Sequence, residues 1–161
     1  MADTTYLTRE VEDYVRSELA RQTGQSFTKF RITLRTGGSH EFDAVSVDAT
    51  VVASIKSASG KTSGGNVPSG KINDCLAELY YLSLVGAPTR FLVLTTPEFF
   101  EIFAKKTQGA VAEGIEIICI RLPPEMQAKV DAVKYEASQE VSPRVSSPPP
   151  HQMGPAGADG G

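Results

Sequence analysis

Leu7, Val11, Val15 and Leu19 recur every four residues with Glu10, Glu12, Asp13 and Arg16 between them, a spacing that predicts an amphipathic helix over residues 6–22, stopped by Gly24. The period then shortens to two. Phe30, Ile32 and Leu34 alternate with Lys29, Arg31, Thr33 and Arg35, as in a half-buried strand, and Gly37-Gly38 turns the chain. HEFDAVSV predicts a second strand, Asp48-Ala49 a tight connection and TVVASIKS a third strand, so the three form an antiparallel meander. KINDCLAELYYLSLVG puts Ile72, Cys75, Leu76, Leu79, Tyr80 and Leu82 on the broad apolar face of a buried helix, which Gly86 and Pro88 stop. RFLVLTT is the continuous apolar run of a strand covered on both faces. Thr96-Pro97-Glu98 then supplies an N-cap, an N1 proline and a first-turn acid for the helix PEFFEIFAKKTQG. IEIICI gives a fifth strand, and Pro123-Pro124 opens a short helix through Met126, Val130 and Val133.

This order, α-β-β-β-α-β-α-β, predicts an α/β domain: a meander followed by a βαβ unit, giving a mixed sheet between two helical layers. Residues 1–136 form that single domain. The remainder, residues 137–161, is rich in proline, glycine and serine with almost no apolar content, and is expected to be a disordered tail.

Composition narrows the function only a little. An apolar content of 40% over 161 residues supports a globular core, and no apolar run approaches the ~20 residues of a membrane span, so a soluble, cytoplasmic protein without a membrane partner is expected. Cys75 and Cys119 sit inside apolar runs and read as buried thiols; with His40 and His151 as the two histidines, a structural zinc site lacks ligands. The net charge is −3, yet residues 21–71 carry seven basic against three acidic side chains. That local excess suits a polyanion and equally a solvated surface.

Two glycine loops resemble phosphate cradles, and each lacks half of the motif. Gly60-Lys61-Thr62 ends like a P-loop, but Ile55 stands where the leading glycine belongs and SGGNVPSG follows instead of a helix. Gly65 to Lys71 has the GxxxxGK spacing and enters a helix, but Ile72 replaces the cation-binding hydroxyl.

Asp43 and Lys56 make a better case. Strand alternation puts Ser54 and Lys56 on one face, and the short connection at Asp48-Ala49 brings Asp43 to the same end of the hairpin, so a carboxylate and an ammonium are expected to meet across two strands. An ion pair without chemistry is the plain reading of that pairing. With Asp43 in Glu41-Phe42-Asp43 and Lys56 in Ser54-Ile55-Lys56, however, the chain resembles the PD-(D/E)xK nuclease superfamily, over residues 6–120 in element order. In that superfamily an Asp on the second strand precedes an acid-x-Lys on the third. Here Ser54 takes the place of the second acid.

The resemblance implies a restriction endonuclease-like three-layer core and a metal-dependent endonuclease that hydrolyses DNA phosphodiester bonds, in restriction or repair. It implies a Mg2+ (or Mn2+) cofactor held by Asp43, the Ile55 carbonyl and an acid supplied from elsewhere. That acid is expected to be Glu78, with Asp74 and, on the first helix, Glu10 and Glu12 as further candidates. Asp43, Lys56 and Glu78 would then be catalytic, and Arg31, Arg35, Lys61 and Lys71 would bind phosphates. A homodimer that cuts two strands fits the same resemblance. The alternative is a degenerate nuclease fold serving as a nucleic-acid- or protein-binding module.

Overall fold

The four-residue apolar stripe winds into α1 (Thr4–Thr23), burying Val11, Val15 and Leu19. Gly24, at φ 74°, ends it with its N–H donating to the Ala20 carbonyl at 2.8 Å. The computed structural model describes residues 4–57 and 69–141, with side chains as far as Glu136. Among these, no helix is long and apolar enough to cross a membrane.

The expected meander forms as β1 (Phe27–Thr33), β2 (Ser39–Ser46) and β3 (Val51–Lys56). Ala49 adopts φ 57° in the β2–β3 turn, where the Asp48 carboxylate accepts from the Ser46 hydroxyl (2.8 Å) and from the Thr50 N–H (3.0 Å) and hydroxyl (2.7 Å). Phe30 departs from expectation: it is 59% exposed, because β1 is the sheet's edge strand and the helices cover little of it beyond Phe27.

Next come α2 (Ser69–Ser83), β4 (Thr89–Leu94), α3 (Pro97–Lys106), β5 (Ile115–Cys119) and α4 (Pro124–Val141). The buried stripe of α2 is narrower than the sequence suggested. Ile72, Cys75, Leu79 and Leu82 are buried, whereas Leu76 (42% exposed) and Tyr80 (61%) fall about 100° off that line and face solvent. Burial pushes the Cys75 thiol up to about 11; Cys119, on the other edge strand, is only half-buried. The last helix is longer than expected and runs past position 136 to Val141; residues 142–161 of the expected tail lie outside the described residues.

The sheet runs β1-β2-β3-β4-β5, antiparallel through β3 and parallel from β3 to β5. On one face Phe42, Val45, Val52 and Leu92 pack against α2 and against Phe99 and Phe103 of α3. On the other, Ala44, Ala53, Ile55 and Val93 pack against α1 and against Val130 of α4. These two clusters make the three layers.

One irregularity positions the site. Pairing moves from Thr28↔Val45 to Phe30↔Phe42, two steps on β1 against three on β2, so β2 carries an extra residue between Phe42 and Val45. A bulge of this kind re-aims side chains. It explains why Phe42 and Ala44, two residues apart, pack into opposite clusters.

Arg90 ties the end of α2 to the β4–β5 connection, donating to the Leu82 carbonyl (2.9 Å) and the Glu113 carbonyl (2.7 Å). Gly114 sits under it at φ 84°, where a Cβ would come within 2.5 Å of Nη2. Gly114→Ala is therefore expected to lose about 1–2 kcal/mol for the left-handed backbone alone. Equal denaturant midpoints for variant and parent would refute this.

Candidate active site at the end of the third strand

The β2–β3 ladder pairs Val45 with Val52 and Ala44 with Ala53; beyond that point the bulge intervenes. The Asp43 carboxylate fills the gap, its Oδ2 accepting the Ile55 N–H at 2.8 Å. A strand residue's N–H and C=O point to the same side, so the Ile55 carbonyl also opens toward Asp43. The resulting cavity, about 240 Å³, is lined by Thr8 and Glu12 of α1, by Asp43, Ile55 and Lys56, and by Lys71 of α2.

Glu12 is buried, with Oε2 3.6 Å from Arg16 Nη1 and 3.5 Å from Lys29 Nζ. The same Lys29 ammonium lies 4.0 Å from Asp43 Oδ1 and 3.9 Å from Glu41, so the Glu12 and Asp43 carboxylates converge on one cation. Arg16 also holds the backbone, donating to the Asp43 carbonyl at 2.7 Å.

Burial raises the Asp43 pKa above its ordinary value; the Ile55 N–H works against this, Glu12 adds to it, Lys29 opposes and Glu78 adds again. Raised in the folded state, Asp43 contributes stability that is fully present below the unfolded value of 3.8 and is lost as pH rises through the folded value. At neutral pH its charge therefore opposes folding. Asp43→Asn keeps an oxygen for the Ile55 N–H and removes the charge, so it is expected to melt higher than the parent at pH 7, with the difference closing toward pH 4. A lower midpoint at pH 7 would contradict the account.

The α2 face of β3 carries a second polar group. Glu78 Oε2 accepts from the Ser54 hydroxyl (2.8 Å) and meets His40 Nε2 (3.2 Å), while Oε1 lies 3.7 Å from Lys56 Nζ. His40 is stacked on Tyr81, with ring centroids 3.9 Å apart. The expected Asp43–Lys56 ion pair is thus replaced by two others. Lys56 pairs with Glu78, and Asp43 has Lys29 as its nearest cation, because the bulge turns Asp43 toward α1 while alternation turns Lys56 toward α2.

Other expected site residues stand apart from this cavity. Asp74 is exposed, and Glu10 pairs with Lys129 at 3.4 Å. Arg31 donates to the Ser39 hydroxyl at the sheet edge. Arg35 donates to the Ser83 carbonyl, and its N–H to that of Leu84, twelve residues of helix or roughly 18 Å from Lys71. Lys61, Gly60 and Gly65 lie outside the described residues.

Sequence reasoning missed three participants. Lys29 reads as the polar half of an alternating strand, and His40 as a strand-end residue. Lys134 of α4 has its ammonium buried without a hydrogen-bond partner, and burial, then Lys71, push its pKa down to about 8. It lines a small cleft that shares Thr8, Val11 and Ser57 with the cavity. A run of charges on a helix carries no sign that one of them folds inward.

Among the described residues no three His, Cys, Asp or Glu side chains form a metal-binding group. Magnesium demands less, being held by one or two carboxylates with waters and substrate phosphate. Glu12, Asp43 and Ile55 line one cavity and offer two carboxylates and a carbonyl, oxygen donors of that kind. Comparisons of the chain with family models, with curated proteins and with solved structures found no match. The described residues form an α/β domain with a mixed five-strand sheet and four helices.

Proposed function

We propose that the protein is a divalent-metal-dependent endonuclease of restriction endonuclease-like type that hydrolyses DNA phosphodiester bonds. The supporting observation is the Asp43 carboxylate at the splayed end of β2 and β3, hydrogen-bonded to Ile55 of Ser54-Ile55-Lys56 and sharing a cavity with Glu12 and Lys56. Mg2+ or Mn2+ held by Asp43, Glu12 and the Ile55 carbonyl would supply a polarised phosphate and a water of lowered pKa. Lys56 stabilises the negative charge that develops on the phosphate oxygens. Lys71, with Lys134 behind it, draws the flanking phosphates toward the cavity. Glu78 acts as a positioning residue, fixing the Lys56 ammonium from the α2 side.

This assignment moves the second carboxylate from Glu78 to Glu12. Glu78 is already engaged by Ser54, His40 and Lys56, whereas Glu12 faces the same cation as Asp43. Glu12→Gln is expected to cut Mg2+-stimulated cleavage of duplex or single-stranded DNA by about 10²-fold or more, and Glu78→Gln by roughly tenfold. The reverse order returns the ligand role to Glu78. If neither DNA substrate is cut in Mg2+ or Mn2+, and neither ion raises the melting midpoint, the non-catalytic binding module takes the place of the enzyme.

A further inference from the structure

A second, larger cavity, about 500 Å³, opens at the same end of the sheet where β4 and β5 finish. Thr95 follows β4, and strand alternation puts its side chain with Val93 on the α1/α4 face, toward this cavity. Thr95 is 1% exposed and its hydroxyl has no hydrogen-bond partner; the Thr96 hydroxyl beside it has none either. A buried hydroxyl without a partner costs about 1–3 kcal/mol, so two adjacent ones ask for a ligand.

Positive potential enters from two helix ends and one guanidinium. Thr96 stands at the N-cap of α3 without capping it through its side chain, and Pro97 has no N–H, which leaves the first-turn amides of Glu98 and Phe99 uncapped by it. The N-terminus of α4, at Pro124, forms another wall, and each helix end is equivalent to about half a positive charge. Arg121 adds a guanidinium.

We infer that this cavity binds the phosphate group of a nucleotide, with the Thr95 and Thr96 hydroxyls, the α3 amides and Arg121 as its donors. Glu98 and Asp131 also line it, both exposed, with Asp131 Oδ1 accepting from Gln127 at 2.9 Å. Two carboxylates on the outer wall disfavour a free multivalent anion and suit the sugar hydroxyls or base amines of a phosphate ester. The crevice beyond the carboxyl ends of parallel strands is where such ligands sit in open α/β sheets, and the volume falls in the usual range for small-molecule sites. The site stands independently of the nuclease reading.

Calorimetric titration of the full chain with dAMP, with deoxyadenosine and with a short single-stranded oligonucleotide tests this. The expected result is that dAMP binds at least tenfold more tightly than deoxyadenosine, and that Arg121→Gln and Thr95→Val each weaken dAMP by about tenfold, the scale of one lost charged or buried hydrogen bond. Thr95→Val should unfold no earlier than the parent without ligand, because it removes an unpartnered hydroxyl; a purely structural Thr95 would lose stability instead. Asp43→Asn, altered in the first cavity, should bind dAMP as the parent does, so this inference and the nuclease reading fail separately. Tighter binding of the oligonucleotide than of dAMP, with the same dependence on Arg121, assigns the phosphate to a bound strand; the opposite order assigns it to a free nucleotide. Equal binding of dAMP and deoxyadenosine, or unchanged affinity in both variants, overturns the inference.

Discussion

Lys56→Ala is expected to reduce Mg2+-stimulated DNA cleavage by about 10³-fold while changing the unfolding free energy by no more than about 1 kcal/mol. The two effects separate because of where the ammonium sits. Its side chain is one-third exposed and its partner Glu78 lies 3.7 Å away, so the pair contributes little to folding. Glu78 also keeps the Ser54 hydroxyl and His40 as partners when Lys56 is gone, and no carboxylate is stranded. In the transition state of the proposed reaction the same ammonium would face developing charge in a site shielded from water, where a single donor is worth about 10²–10³ in rate. Lys56→Arg keeps the charge but spreads it over a planar fork, and should recover only part of the activity. Cleavage by Lys56→Ala within about tenfold of the parent would remove Lys56 from the machinery and leave a partly buried ion pair of structural kind.

Much of the fold follows from periodicity, because the chain's apolar spacing changes wherever its elements do. The spacing of four in Leu7, Val11, Val15 and Leu19 and the unbroken run at Phe91 to Leu94 each have one physical solution in water, and the structure adopts them. What periodicity could not carry was position in the sheet. Phe30 and Ile32 alternate as a half-buried strand should, but an edge strand beyond the helical layers leaves Phe30 in solvent. Leu76 and Tyr80 are apolar on a helix whose contact with the sheet is a single line of residues.

The site was legible as a set of residue types and not as a set of pairs. Asp43, Ile55 and Lys56 share a cavity because β2 and β3 are joined by a tight turn that strand composition and Asp48-Ala49 announce. The partners of those residues depend on one extra residue in β2, and a bulge leaves no mark in HEFDAVSV. It is this bulge that aims Asp43 at α1 and makes Glu12, next to the buried Val11, the carboxylate that meets it. Burial of Glu12 is tolerated because Arg16, one helical turn away, and Lys29, from β1, both reach it.

The serine in Ser54-Ile55-Lys56 can be tested by restoring the acid it replaces. Ser54 is fully buried and its hydroxyl lies 2.8 Å from Glu78 Oε2, so Ser54→Asp places two carboxylates where one hydrogen bond stood. Like charges this close cannot both ionise without a cation between them. With Lys56 and His40 already committed to Glu78, the added charge is expected to cost about 3–5 kcal/mol and lower the melting midpoint by roughly 10 °C in chelator. Ser54→Ala, which only withdraws one donor from Glu78, should lose about 1 kcal/mol. Adding Mn2+ should return most of the loss in Ser54→Asp, beyond the rise that the parent and Ser54→Ala share through Glu12 and Asp43, since in the aspartate variant alone a divalent ion also neutralises the crowded pair. Recovery would mean that β3 and α2 can jointly hold a metal once the acid is present. A Ser54→Asp protein as stable as the parent in chelator would show that Glu78 does not crowd this position, and the separation of the two polar groups across β3 would have to be abandoned.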